Sequence, residues 1–321
     1  MTAEGASPTL WQRIAGRLLV AVVRLMQHLP DKPVYRLAHL LGRSLARVMP
    51  ERRALVKSNL GRVCRALDAA GTGSAAARAA AHDDRRLDAL VRNVFGYWVV
   101  TYVESAMAPR YDAAALRARV RLADPATTAI ALGPVPAGSP GTIFVGLHFG
   151  SVELGALYAA RFGHVPLSGP MEQVDNPVLR EYFERTRGAL GMTILPMQGV
   201  APLLVERIGR GEAVALVADR VIGGSGTRVA LFGAPARLPA GPAILAVETG
   251  ATMYALAVHR SAPGEWIGRV ERLDVPTDGP RRGRLHATLE AQVRAFERFI
   301  GDAPDQWWTL LFRIWEEDVA A

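Results

Sequence analysis

The stretch Gly141-Thr-Ile-Phe-Val-Gly-Leu-His-Phe-Gly-Ser-Val-Glu-Leu-Gly155 decides how this chain is read. Thr142–Leu147 is a short apolar run with β-branched residues, bounded by glycine, which reads as a buried strand. Beyond it Val152, Leu154, Leu157 and Tyr158 recur at helical spacings, so a helix is predicted to start near Ser151 as its N-cap. His148 then stands at the carboxyl end of a strand and Glu153 in the first turn of the next helix. That crevice is where α/β proteins bind ligands. Five residues apart on one continuous helix, the two would be turned roughly 140° from each other. They meet only if the chain bends between them, and Gly150 permits the bend. An acid beside an imidazole fixes its tautomer and stabilises the imidazolium, leaving the other ring nitrogen as a general base. A lone His-x4-Glu is nonetheless more often a hydrogen-bonded core histidine and an ordinary helix-initial acid.

Outward from this stretch the chain alternates. Strands are predicted at Val165–Ser168, Met192–Leu195, Ala213–Ala218 and Thr252–Val258, with an edge strand at Trp266–Leu273. Asp175-Asn176-Pro177 marks a helix start, with a capping side chain and proline at the first turn, and Val200–Arg210, Ala243–Glu248 and Leu285–Ile300 are further helices. Such an order argues for an α/β fold, a mixed, mostly parallel sheet flanked by helices. Asp219-Arg220 falls at a strand's carboxyl end, on the same rim as His148, and Glu172 lies just beyond another strand.

The text around His148 resembles the His-x4-(Asp/Glu) block of the bacterial lipid A biosynthesis acyltransferases, a family that includes the lauroyl and myristoyl transferases and the phosphatidylinositol mannoside acyltransferases. Met171-Glu172-Gln-Val-Asp175-Asn176-Pro177 and Arg187-Gly188-Ala-Leu-Gly191 resemble its second block, Leu231-Phe232-Gly233 through Gly241-Pro242 its third, and Pro304-Asp305-Gln306-Trp307-Trp308 with Arg313 its C-terminal segment. Arg53 with Asn59-Leu60 resembles its N-terminal Arg/Asn helix. The resemblance implies a glycerolipid-acyltransferase-like architecture, with His148 as the base that deprotonates an acceptor hydroxyl and Glu153 as the acid that orients it. Glu172 and Arg187 carry over as substrate-binding residues, and Asp219, Arg220 and Arg237 join them as candidates. A guanidinium forks onto phosphate oxygens, which suits Arg187 to a lipid or carrier phosphate; outside the family pattern it reads as a helix-surface arginine, and Glu172 as a solvated loop acid. The donor implied is acyl-CoA or acyl carrier protein, a co-substrate rather than a cofactor, and the acceptor a glycolipid or phospholipid. The chain departs from the pattern in Val229-Ala230-Leu231-Phe232, where two aromatics are usual, and in Asp219-Arg220, which leans towards the mannoside enzymes, although those often carry Asp where this chain has Glu153, so both acceptor types stay open.

Composition sets the surroundings. The 321 residues carry a net charge of +8. Residues 1–65 hold twelve Lys or Arg against Glu4, Asp31 and Glu51, or +9, which leaves −1 for the rest. Residues 8–29 read as an amphipathic helix with Arg13, Arg17, Arg24 and His28 within roughly 60° of one another. Its longest uncharged run is too short to span a bilayer, and no signal-peptide pattern follows. A basic amphipathic segment over residues 1–66 is therefore expected to lie on an anionic membrane surface, on the cytoplasmic face of the inner membrane in the family's setting, with residues 67–321 forming the α/β domain on which it packs. Nucleic acid is the poorer partner, because interleaved aromatics and a recognition helix are missing. A single cysteine, Cys64, and the absence of His-rich spacing leave no reason to invoke a metal. A serine hydrolase lacks its Gly-x-Ser-x-Gly and a dinucleotide enzyme its Gly-x-Gly-x-x-Gly. The rival to an enzyme is a peripheral lipid-binding protein without catalysis.

Overall fold

The computed structural model describes residues 10–171, 181, 191–221 and 226–316. Among them a seven-stranded sheet carries the fold, ordered β1-β9-β8-β2-β5-β3-β4. Its central strands β2 (Thr142–Gly146), β5 (Ala213–Val217), β3 (Leu167–Met171) and β4 (Met192–Pro196) run parallel, as does β8 (Thr252–Ala262) beside β2. Only β9 (Glu265–Arg272) is antiparallel to its neighbour β8, because the two form a hairpin, and β1 (Val120–Leu122) pairs parallel to β9 on the outside. The edge position expected of Trp266–Leu273 is thus taken by β1, and Trp266 is buried.

Strand β2 is apolar throughout because both its faces are covered, as parallel strands require. Ile143 and Val145 point to a core shared with Val214, Met253 and Ala255 and roofed by α9 (Val200–Gly209), α10 (Gly241–Thr249) and α11 (Arg281–Asp302). Phe144 points the other way, to Tyr254 and to α7 (Pro125–Ala131) and α8 (Val152–Phe162). The segment Thr227–Leu238, read from sequence only as a motif, forms a hairpin of β6 (Thr227–Leu231) and β7 (Ala234–Leu238). Its turn places Phe232 at φ 50° and Gly233 at φ 73°, the primed geometry that matches strand twist.

Helices α1 (Leu10–Met26), α2 (Asp31–Val48), α3 (Pro50–Ala69), α4 (Ala75–Ala80), α5 (Asp84–Met107) and α6 (Ala113–Arg119) precede the sheet. α3 is no surface appendage: Val56, Leu60, Val63 and Cys64 are fully buried in the main core beside Val91 and Val94 of α5. α2 is patterned inside out. Its buried positions are Tyr35, Ala38, Gly42 and Ala46, whereas Leu37, Leu40, Leu41 and Val48 face outward. The small residues let it press on α5, since a Cβ at Gly42 would stand 2.6 Å from the Phe95 carbonyl oxygen. Among the described residues no helix is long and apolar enough to cross a membrane.

The turn between β2 and α8 depends on Gly150, which sits at φ 58°. A Cβ there would collide with the Val258 carbonyl oxygen and stand 2.7 Å from the His259 Cα. Gly150→Ala therefore adds a backbone collision to a left-handed strain of ~1–3 kcal/mol. We expect a clear fall in melting temperature or no folded protein; an unchanged thermal melt would refute this close approach.

Candidate active site

Two residues beyond the last paired positions of β2 and β5 the chain carries a histidine and an aspartate. The register pairs Gly146 with Val217, so parallel continuation by two residues brings His148 beside Asp219. A backbone bond from Ala218 N to Gly146 O at 3.0 Å extends the pairing past the strand ends. The His148 Nδ1 lies 2.7 Å from Asp219 Oδ1, and the His148 amide donates to Asp219 Oδ2 at 3.0 Å. With a carboxylate on Nδ1, the neutral ring keeps its proton there and presents Nε2 as the acceptor of a proton.

Asp219 is the buried member of the pair, 2% exposed at its side chain against 17% for His148. Burial alone would push its carboxyl up. The charge of His148 when its ring is protonated and its hydrogen bond, with the donors Trp307 Nε1 at 2.8 Å and Thr309 Oγ1 at 2.7 Å, outweigh that and hold it below the usual carboxylate range.

The backbone of the histidine loop is tied on both sides. Trp308 N donates to His148 O at 3.1 Å, Gly150 N to Gln306 O at 3.0 Å, and Ser151 N to Val258 O at 2.7 Å. The Trp308 ring meets the imidazole edge-on, centroids 4.3 Å apart. Behind the loop, Arg260 and Glu104 form a buried ion pair at 2.5 Å, joined by Trp266 Nε1 and by both amide atoms of Gln306. Ser151 occupies the N-cap position expected of it, but its side chain accepts no bond from the helix amides.

The carboxylate on Nδ1 is therefore Asp219, in the place that sequence reasoning gave to Glu153. The physical reason is the β2–β5 register, which sets residues 148 and 219 abreast, whereas Glu153 follows the Gly150 turn and stands half-buried in the first turn of α8. Asp219, Arg220 and Arg237 come together: they line one cavity of about 440 Å³ with Thr309, Arg313 and Trp315. The Arg220 guanidinium lies over the Phe312 ring at 4.4 Å. Arg237 donates to Gly226 O at 3.0 Å and pairs with Glu316 at 3.2 Å. Glu172 and Arg187 lie outside the described residues, as does the helix start at Asp175-Asn176-Pro177. Sequence reasoning did not find Trp307 and Thr309 as donors to Asp219. Their signal was the C-terminal tryptophan motif, whose position against the sheet rim no periodicity reveals.

A family model described as bacterial lipid A biosynthesis acyltransferase matches residues 8–316. The chain belongs to that family. Curated relatives bear the name phosphatidylinositol mannoside acyltransferase: one from Mycolicibacterium smegmatis is 29% identical over 164 residues, 50% of this chain and 52% of the relative. One from Mycobacterium tuberculosis is 28% identical over 164 residues, 50% of each chain. The chain thus spans about half the length of the relatives it matches.

Asp219→Asn retains size and removes the charge that fixes the Nδ1–H tautomer. Activity is expected to fall by roughly 10²- to 10⁴-fold. A variant with the wild-type rate in a single-turnover assay would show that the pair does not serve catalysis.

Proposed function

We propose that this chain is a membrane-associated O-acyltransferase. It moves a fatty acyl group from an acyl thioester, acyl-CoA or acyl carrier protein, to a hydroxyl of a glycolipid or phospholipid of the phosphatidylinositol-mannoside or lipid-A type. The observation that carries it is the His148–Asp219 pair at the carboxyl rim of the sheet, in a chain of this family. Nε2 takes the proton of the acceptor hydroxyl. The freed oxygen attacks the thioester carbonyl, the C–S bond breaks, and the imidazolium returns its proton to the departing thiolate. Asp219 orients the ring and offsets its positive charge. Glu153, Glu172 and Arg187 are kept as the family's further acid and substrate-binding positions. Arg220 and Arg237 are assigned to the phosphate of a donor or acceptor at the cavity below the pair.

Support for a membrane setting comes from α1 and α2. Leu18 and Leu25 of α1 are 62% and 64% exposed, and Leu40 and Val48 of α2 are 63% and 73% exposed. Arg36, Arg43 and Arg47 share α2 with these outward leucines, the composition of a helix that sinks an apolar face between anionic headgroups. Placed there, at the cytoplasmic face of the inner membrane, the enzyme meets an acceptor that never leaves the bilayer.

The direct test is a mass-resolved transfer assay with labelled palmitoyl-CoA or palmitoyl carrier protein and a total lipid extract from the host. Wild type should yield a new acylated lipid that disappears with His148→Ala. Product formation unaffected by the substitution would sink the base assignment, and no product from either donor would favour the non-catalytic lipid-binding alternative.

Replacing Leu37, Leu40 and Leu41 together with serine should leave the fold intact, because all three are exposed. It should also lower binding to vesicles containing phosphatidylglycerol by at least about tenfold, given ~1.5–3 kcal/mol for each fully buried leucine. Undiminished co-sedimentation would exclude this face, and a change from dimer to monomer without vesicles would assign it to self-association instead.

A further inference from the structure

Asp219 is unevenly bonded. Among the described residues Oδ1 meets the imidazole alone, while Oδ2 accepts three donors, the His148 amide at 3.0 Å, Trp307 Nε1 at 2.8 Å and Thr309 Oγ1 at 2.7 Å. Three donors converging on one oxygen fix the plane of the carboxylate and leave the other oxygen aimed at Nδ1. The two side-chain donors come from a segment distant in sequence, itself held from α3. Asn59 Nδ2 donates to the carbonyls of Leu310 and Phe312, both at 2.9 Å, and the Arg52 guanidinium donates to that of Leu311. Asn59 is 1% exposed, so its half of the clasp is interior, whereas Arg52 reaches in from an exposed position.

We propose that Thr309 is a positioning residue for the catalytic base: its hydroxyl, set in place by the Asn59 and Arg52 clasp, holds Asp219 so that the imidazole is aimed for proton transfer. This rests on the acyltransferase reading of His148. Of the two side-chain donors, Thr309 is the separable one. Trp307 fills the core completely, and any substitution there opens a large cavity. Thr309 buries one hydroxyl and one methyl, and valine preserves that shape while deleting the donor. A donor that only stabilised the fold would alter melting and leave turnover per folded molecule unchanged. A donor that aims the base alters kcat, because a misplacement of about 1 Å costs on the order of 10²-fold; Thr309 also lines the arginine cavity, but its hydroxyl is turned to Asp219 and valine keeps its shape, so KM changes little.

The test uses the full chain, palmitoyl-CoA and the host lipid extract, with Thr309→Val, Thr309→Cys and Thr309→Ser compared with wild type and His148→Ala. Expected is a kcat that falls by roughly 10- to 100-fold in the valine variant, less in the cysteine variant, and recovers in the serine variant, with KM within twofold throughout. A second readout needs no turnover. The downfield proton resonance of His148 Nδ1–H, assigned by its loss in His148→Ala, should shift and broaden in Thr309→Val and return in Thr309→Ser. A valine variant with wild-type kcat and an unmoved resonance would overturn the inference, as would a kcat series that follows melting temperature rather than donor capacity. If His148→Ala itself retains transfer, the base assignment fails; if it loses transfer while Thr309→Val does not, only the role of Thr309 fails.

Discussion

A carboxylate that is 2% exposed and still charged is the constraint on which this molecule depends. Moving such a group out of water costs several kcal/mol unless donors replace the lost hydration. Asp219 finds them in three places: the amide and ring of His148, the indole of Trp307 and the hydroxyl of Thr309. The first belongs to the chain leaving β2, the others to a segment near the end of the described chain. Satisfying one charge therefore requires two parts of the fold, about 160 residues apart in sequence, to be in register at once. The geometry of the His148–Asp219 pair and the folded state share this requirement.

A second buried network supports the same segment from behind. Arg260 on β8 and Glu104 on α5 pair at 2.5 Å, and Gln306 bonds the Arg260 backbone through both amide atoms while its own carbonyl receives the Gly150 amide. Buried pairs of this kind add little net stability over an apolar core, but breaking one partner costs about 3–5 kcal/mol. The value of this pair lies in placement. Arg260 and Gln306 fix where residues 304–309 lie, and those residues bring Trp307 and Thr309 to Asp219.

The alternation of apolar strands and amphipathic helices was legible, because parallel strands covered on both faces show as continuous apolar runs such as Thr142–Val145, and the helices carry their periodicity openly. The sharp turn after His148 was legible too, since only glycine at residue 150 tolerates φ 58° against the Val258 carbonyl. What a single chain does not reveal is lateral register. Sequence reasoning placed Asp219 on the same rim as His148 but paired the histidine with Glu153, its neighbour along the chain. Only the Gly146–Val217 pairing shows that residues 148 and 219 stand abreast. The donors Trp307 and Thr309 were hidden for the same reason. The β6–β7 hairpin was missed because Ala230-Leu231-Phe232-Gly233 lacks the Asn-Gly signal that marks a primed turn, the left-handed φ falling on Phe232 instead.

The N-terminal helices show what composition leaves out about depth of packing. The basic segment over residues 1–66 is expected to pack on the α/β domain while lying on a membrane surface, and composition does not say how deeply. α3 carries Val56, Leu60, Val63, Cys64 and Leu67 into the main core, and Asn59 and Arg52 hold the carbonyls that follow Thr309. α2 lies between the two behaviours. Its small residues, Ala38, Gly42 and Ala46, lock it onto α5, while its leucines turn outward. A helix that buries its small residues and exposes its large apolar ones has spent its packing on rigidity rather than on hiding surface. Because α5 also carries Thr101, whose hydroxyl lies 3.3 Å from the Gly150 carbonyl, a rigid α2–α5 contact ties the outward leucine face to the histidine loop. The outward leucine face and the histidine loop thus share one scaffold, the close α2–α5 contact.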